Sequence, residues 1–198
     1  MQTEVIHPRL TTSSTSRDVY YSQLMAHAQK NTENTHILAC MITSWLVGQG
    51  NMPTRLGLND NAWNKLLQQY FPNYKLPARH LPSHTVDISR LPEVDELRTL
   101  FYTHCDNLTQ DKQCFADILI AGCMGNDHLW QDLGLWSRKD LTALINNNFP
   151  KLAAKNNRDM KWKKFFYKQL CLQEEIYVCR APSCEVCADY QNCFGSEE

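Results

Sequence analysis

Along most of this chain apolar residues recur at intervals of three and four, the spacing that lines one face of an α-helix. Between Asp18 and Lys30 the apolar positions are Val19, Tyr20, Leu24, Met25 and Ala28. Between Thr35 and Val47 they are Ile37, Leu38, Met41, Ile42, Trp45 and Leu46, and Gly48 and Gly50 end the helix. A third segment starts at Asn59, a suitable N-cap, carries Trp63, Leu66, Leu67 and Tyr70, and stops at Phe71-Pro72. Val94, Leu97, Leu100 and Phe101 predict a short helix over residues 93–104, and an apolar helix follows over 112–124. Ser137-Arg138-Lys139-Asp140 resembles a capping box ahead of Leu141, Leu144 and Ile145, and that segment stops at Phe149-Pro150. In the last periodic stretch, 159–171, Trp162, Phe165, Phe166 and Leu170 form an apolar stripe, with Lys161, Lys164 and Lys168 on the opposite side. Few stretches alternate with the period of a strand, so the expected fold is all-α.

The pattern also repeats. Leu56-Gly57-Leu58 precedes the segment closed by Phe71-Pro72, and Leu133-Gly134-Leu135 precedes the one closed by Phe149-Pro150. Each follows an apolar helix, which gives two helix–loop–helix units, 35–72 and 113–150. Two copies are too few for a solenoid, so a pseudo-symmetric helical bundle is predicted. Pro72, Pro77, Pro82 and Pro92 make 72–92 a connector that no single regular element can occupy. Residues 1–17, with a polar tract over Thr11–Ser16, read as a flexible arm, and 18–198 as a single helical domain.

Composition narrows the class. The 198 residues are 43% hydrophobic and 21% charged, as in a globular protein with one core of ordinary size. The net charge of −1 provides no overall attraction to nucleic acid or to an anionic membrane, so any basic site must be local. No apolar run approaches the ~18 residues of a membrane helix. Residues 1–17 lack the apolar core of a secretory signal, so a reducing, cytoplasmic setting is expected, in which thiols persist.

Against that background the cysteines stand out. Cys179, Cys184, Cys187 and Cys193 fall within fifteen residues at spacings C-x4-C-x2-C-x5-C. Thiols so close in sequence can wrap an iron–sulfur cluster, bind zinc, or form local disulfides. An odd total of nine cysteines fits a closed disulfide framework poorly. Structural zinc favours two separate knuckles, and only Cys184 and Cys187 form a C-x2-C pair. A continuous loop round a cluster is the better fit, because its thiolates must reach separate irons. Cys40, Cys105, Cys114, Cys123 and Cys171 lie mostly in apolar helical contexts and read as small core residues. His80 and His84 bracket Pro82 and share no helix face. His128, in a Gly125–Trp130 loop, reads as a capping or hydrogen-bonding residue, with metal ligation as its alternative. No P-loop, G-x-G-x-x-G, G-x-S-x-G or H-E-x-x-H motif is present, and no enzymatic activity is expected.

Three blocks taken together resemble one family. They are Asp127-His128-Leu129-Trp130-Gln131-Asp132-Leu133-Gly134-Leu135, then Asn157-Arg158-Asp159-Met160-Lys161-Trp162-Lys163-Lys164-Phe165-Phe166, then the cysteine segment ending in Phe194-Gly195. This combination is similar to NifQ, a nitrogen-fixation family associated with molybdenum supply to the nitrogenase iron–molybdenum cofactor. The resemblance is close over about 115–195; the N-terminal half matches in pattern only. It implies an iron–sulfur carrier, with a cluster of [4Fe-4S] or [3Fe-4S] type, that takes up molybdenum from molybdate or another molybdenum source. It further implies handover to the scaffold and reductase components that assemble the nitrogenase cofactor. Cys179, Cys184, Cys187 and Cys193 match the family motif and are the implied cluster ligands. His128, Asp127 and the Lys161/Lys164/Lys168 stripe are where further ligands, anion attraction or partner docking are expected. The alternatives are an iron–sulfur electron-transfer protein and a helical nucleic-acid-binding protein with a structural cluster.

Overall fold

In the computed structural model, residues 16–77, 93–173 and 190–197 are described, and all regular structure among them is helical. The predicted cluster loop therefore lies outside the described residues except for 190–193, which include Cys193, and most of the predicted arm and connector lie outside them too.

Two helices make the centre: α2 (Glu33–Leu46) and α5 (Gln110–Cys123). Sequence periodicity assigned one apolar face to each, yet both are buried nearly all round. In α2, Ile37 through Trp45 are buried without a break, Ala39, Cys40, Thr43 and Ser44 included. The same holds for α5, where Ala116, Ala121, Gly122 and Cys123 are buried beside Phe115, Ile118, Leu119 and Ile120. Small residues on the remaining sides let neighbouring elements approach closely. A Cβ on Gly122 would stand 2.8 Å from Leu133 and 2.9 Å from Leu129.

The outer helices clothe this pair. The first, α1 (Ser16–Ala26), lies on α2; it begins two residues inside the predicted arm and ends before the predicted Lys30. A 3-10 turn (Thr54–Gly57) leads to α3 (Asp60–Tyr70), which packs on α5, while α4 (Val94–Thr103) packs on α5 and on α9 (Trp162–Gln173). The short α6 (Leu129–Asp132), whose first two residues fall in the predicted Gly125–Trp130 loop, contacts α5, and α7 (Arg138–Asn148) contacts α2. Each unit's leading helix thus packs on the other unit's closing helix, α2 on α7 and α5 on α3; the reciprocity lies in these contacts alone.

Local chemistry explains the boundaries. The Asn59 side chain accepts a hydrogen bond from Ala62 N–H and the Ser137 side chain from Asp140 N–H, so both predicted N-caps form. The two Phe-Pro stops share one geometry: Phe71 has φ −133° and ψ 63°, Phe149 φ −134° and ψ 57°, and both rings are buried. After Phe149 the proline opens another short helix, α8 (Pro150–Ala153), at the first-turn position where its missing N–H costs nothing.

The predicted start of α9 at Asp159 is replaced by a start at Trp162, for a backbone reason. Asp159 has a positive φ of 55°, and Asn156 brackets the loop by accepting from Met160 N–H (2.8 Å) and donating to Met160 C=O (2.9 Å). Beyond that loop the aromatic stripe is fully used. Phe166 meets Phe101 of α4 at 5.0 Å between ring centres, Phe101 meets Phe149 at 4.8 Å, and Trp162 Nε1 donates to Thr142 of α7 at 3.3 Å. This aromatic junction sets the position of the start of α9.

The buried thiols of Cys40, Cys114 and Cys123 sit in this core, and burial pushes those of Cys40 and Cys123 up to about 12 from an ordinary 9.0. Alkylation at pH 8.5 is expected to spare all three in the native protein and to reach them after unfolding, read by mass spectrometry. A thiol whose folded value is raised stabilises the fold fully below its unfolded value. The urea midpoint should therefore hold to about pH 9 and fall as pH rises toward 12. Phe166→Ala should lower stability by about 3–5 kcal/mol in the same assay.

Candidate functional site

Where α5 ends, the chain turns through Met124-Gly125-Asn126-Asp127 into α6, and this turn faces the start of α9. The two are joined through Lys163. Its ammonium donates to the carbonyls of Gly125 and Asp127, each at 2.8 Å, and to the carboxylate of Asp132. Asp132 is 1% exposed and Lys163 retains 19% of its side-chain exposure, so this is a largely buried ion pair. The other Asp132 oxygen accepts from Asn51 Nδ2 at 2.5 Å, and Asn51 N–H donates to the Asp132 carbonyl at 2.9 Å. Both oxygens of the buried carboxylate are thereby satisfied, as its depth requires.

Glycines make the arrangement possible. A Cβ on Gly125 would occupy the space of the Asp132 carboxylate itself. Gly50 (φ 79°) and Gly134 (φ 68°) let the 48–51 and 132–134 turns cross so closely that a Cβ on Gly50 would lie 2.9 Å from the Asp132 carbonyl. Cys123 adjoins the pair; the Lys163 charge pulls its thiol down and Asp132 pushes it up, but burial dominates, so it is a protonated core thiol and not a ligand in waiting.

The segment after the cysteine loop closes one side. Its helix α10 (Tyr190–Phe194) carries Cys193, whose carbonyl accepts from Lys161 N–H at 2.8 Å, while Lys161 Nζ donates to Gln191 C=O at 3.2 Å. Tyr190 stacks on Phe194 at 4.7 Å, with the Arg158 guanidinium 5.4 Å from the Phe194 ring centre. Beyond the helix, Glu197 reaches Arg138 Nε at 3.0 Å and lies 3.7 Å from His128 Nδ1. Arg138 also forms a two-pronged bond to Asp159, at 2.7 and 2.8 Å, which holds the Asp159 carboxyl below its usual range. Residues 190–197 are in this way strapped to the α9 entrance and to the 125–131 turn.

Between turn, strap and α9 lies an open cleft of about 500 Å³, lined by Gly125, Asn126, Asp127, His128, Leu129, Gln131, Lys161, Lys163, Lys164, Asn192 and Glu197. It brings together four residues that the sequence singled out, Asp127, His128, Lys161 and Lys164; Cys193 does not line it, although its chain neighbour Asn192 does. Lys168, the third lysine of the predicted stripe, is exposed but does not line the cleft, since it lies a full turn beyond Lys164 along α9. Cys179, Cys184 and Cys187 lie outside the described residues. Sequence reading missed Lys163, Asp132, Asn51 and Glu197. Lys163 falls at the edge of the apolar stripe, where a lysine reads as solvated, and nothing in the sequence marks its partner 31 residues away.

Comparison with known proteins agrees with the earlier resemblance. The family model described as NifQ matches residues 37–195. "Protein NifQ" of Azotobacter vinelandii is 41% identical over 160 residues, covering 76% of this chain and 82% of the relative. "Protein NifQ" of Rhodobacter capsulatus is 35% identical over 161 residues, covering 81% and 87%. "Protein NifQ" of Klebsiella pneumoniae is 35% identical over 160 residues, covering 76% and 93%. No solved structure matches.

Lys163→Met leaves the Asp132 carboxylate buried without its cation, and chemical denaturation should show a loss of about 3–5 kcal/mol. Gly125→Ala should cost about 1–3 kcal/mol through the collision with the same carboxylate, and the loss should shrink when Asp132 is already Ala, as a double-mutant cycle would read.

Proposed function

The chain belongs to the NifQ family of nitrogen-fixation proteins, and from that premise we propose that it is a carrier for an iron–sulfur cluster loaded with molybdenum. The cargo is held by Cys179, Cys184, Cys187 and Cys193 and given up to the proteins that assemble the nitrogenase iron–molybdenum cofactor. The observation that carries this reading is the strapping of the Cys193 segment to a lysine-lined cleft through Lys161.

The chemistry of the donor set fits such a cargo. Ligating thiols must be thiolates, and a cluster wrapped by four of them is anionic; both are favoured beside ammonium groups. Lys161, Lys163 and Lys164 line the cleft together with Asn192, the chain neighbour of Cys193. The core thiols contrast with this. Cys40 and Cys123 are pushed up by burial and remain protonated, which suits packing and disfavours ligation. The cluster itself supplies sulfide-bridged iron to which molybdenum attaches. The protein's part is to hold one thiolate on a fixed strap, keep cations facing it, and leave an open side for departure. An open cleft favours a cargo in transit over one permanently enclosed. The same basic side, Lys164 with Lys168 farther along α9, is the side from which an assembly partner or the molybdenum source would approach. The role is binding and delivery, without turnover and without nucleic acid. No helix among the described residues is long and apolar enough to cross a membrane.

The reading is tested on protein isolated without oxygen from cells fed molybdate, by iron, sulfide and molybdenum analysis with EPR. Iron, sulfide and molybdenum together are expected; iron and sulfide with no molybdenum would replace the carrier with an electron-transfer protein. Cys184→Ala or Cys187→Ala should abolish the brown chromophore, whereas Cys40→Ala should keep it. If all three variants retained their iron, the assignment of ligands would fail.

A further inference from the structure

We propose that the ion pair between Arg138 and Glu197 is a catch that holds the 190–197 strap in place, and that this catch governs how long the protein keeps its cargo. The inference rests on the carrier reading and deepens it: it names the contact whose opening frees the Cys193 segment, and so the place where release begins.

The strap is fastened on two sides. On one side, Lys161 N–H donates to the Cys193 carbonyl at 2.8 Å and Lys161 Nζ to the Gln191 carbonyl at 3.2 Å, with the Arg158 guanidinium 5.4 Å from the Phe194 ring centre. On the other side Glu197 turns inward, its side chain 7% exposed, and stands 3.0 Å from Arg138 Nε. Arg138 serves both fastenings. Its outer nitrogens grip the Asp159 carboxylate at 2.7 and 2.8 Å, which fixes the turn that carries Arg158 and Lys161. Its inner nitrogen faces Glu197, which fixes the end of the strap. A guanidinium, with several N–H donors in one plane, can do both; an ammonium cannot fork in this way.

Local rules give no reason for an arginine at this position. Arg138 is the first residue of α7, where the helix dipole disfavours a cation. A residue set against a local preference is expected where tertiary structure or function requires it, and here it joins turn to strap.

The two partners of Arg138 are held unequally. Asp159 is held by forked hydrogen bonds. Glu197 is held by charge without hydrogen-bond geometry: Arg138 Nε and Glu197 Oε2 are both buried, and neither has a hydrogen-bond partner among the described residues. The other Glu197 oxygen lies 3.7 Å from His128 Nδ1, beyond hydrogen-bond range. Buried polar atoms left without hydrogen bonds make this the weaker fastening, and the one that opens first. When it opens, Arg138 keeps Asp159 and Glu197 returns to water, so no unpaired charge remains in the interior. A thiolate on the strap then loses its fixed place around the cargo.

The test compares Glu197→Gln, which removes the charge and keeps the shape, with the unaltered full chain. In iron-free protein, amide hydrogen exchange over 190–197 should quicken by about tenfold or more, as loss of one partly buried ion pair would give, while α2 and α5 exchange as before. In protein isolated without oxygen, iron loss to bathophenanthroline disulfonate, a ferrous-iron chelator, should quicken by a similar factor. Glu197→Asp, which keeps the charge, should fall nearer to the unaltered chain in both measurements. Asp106→Asn breaks an ion pair between two exposed side chains, Asp106 and Lys151, and should change neither. Four results would each overturn the proposal: unchanged exchange over 190–197 in Glu197→Gln, unchanged iron loss, faster exchange throughout the molecule, or identical behaviour of the Gln and Asp variants. Failure of the carrier reading looks different, because the unaltered chain isolated without oxygen then holds no iron, which removes the retention claim with it. Failure of the catch leaves that iron in place and lost at one rate from both proteins.

Discussion

A lysine buried against an aspartate is an expensive way to join two elements, and this molecule depends on one such joint. Taking either charge out of water alone would cost several kcal/mol. Lys163 and Asp132 offset that cost because the three ammonium protons and both carboxylate oxygens have partners: two carbonyls for the ammonium, an asparagine amide for the second carboxylate oxygen. The arrangement has little tolerance. It needs Gly125 to be bare, it needs the glycine turns at Gly50 and Gly134 to cross closely, and it needs α9 to arrive at one height. In return it fixes a polar turn against a helix start, where apolar packing has no purchase.

The cleft follows from that joint. With Lys163 committed inward, its neighbours Lys161 and Lys164 are turned toward solvent on either side, and Lys161 grips the Cys193 segment with both backbone and side chain. Glu197, ion-paired with Arg138 and facing His128, closes the strap from its other end. A cysteine on such a strap differs physically from those in the core. Its backbone is bound to the start of α9, whereas Cys40 and Cys123 lie in the core, where burial pushes their thiols up to about 12.

Much of the fold was legible from spacing alone because helix faces are written locally. The stripe Trp162, Phe165, Phe166 and Leu170 is buried as read, and Asn59 and Ser137 cap as read. Where reading and structure part, competing local geometry is responsible. Asp159 at positive φ delays α9, and Pro150 opens a helix after the stop that Phe149 makes. The complete burial of α2 and α5 was less legible, since Ala, Cys, Ser and Thr on a helix flank look the same in sequence whether they meet water or another helix.

The helical class, the approximate element boundaries, the spacing of the four cysteines and the family all follow from the order of residues along the chain. These are properties of near neighbours in the chain, set by periodicity, capping and short intervals between like side chains. Which of Lys161, Lys163 and Lys164 is structural and which face the cleft follows only from the packing of the elements. Packing also decided that Glu197 would meet Arg138 and His128, and that Asn51 would complete a carboxylate 81 residues away. Such pairings depend on the angle at which helices cross and the depth at which a turn is buried. No interval along the chain encodes either quantity.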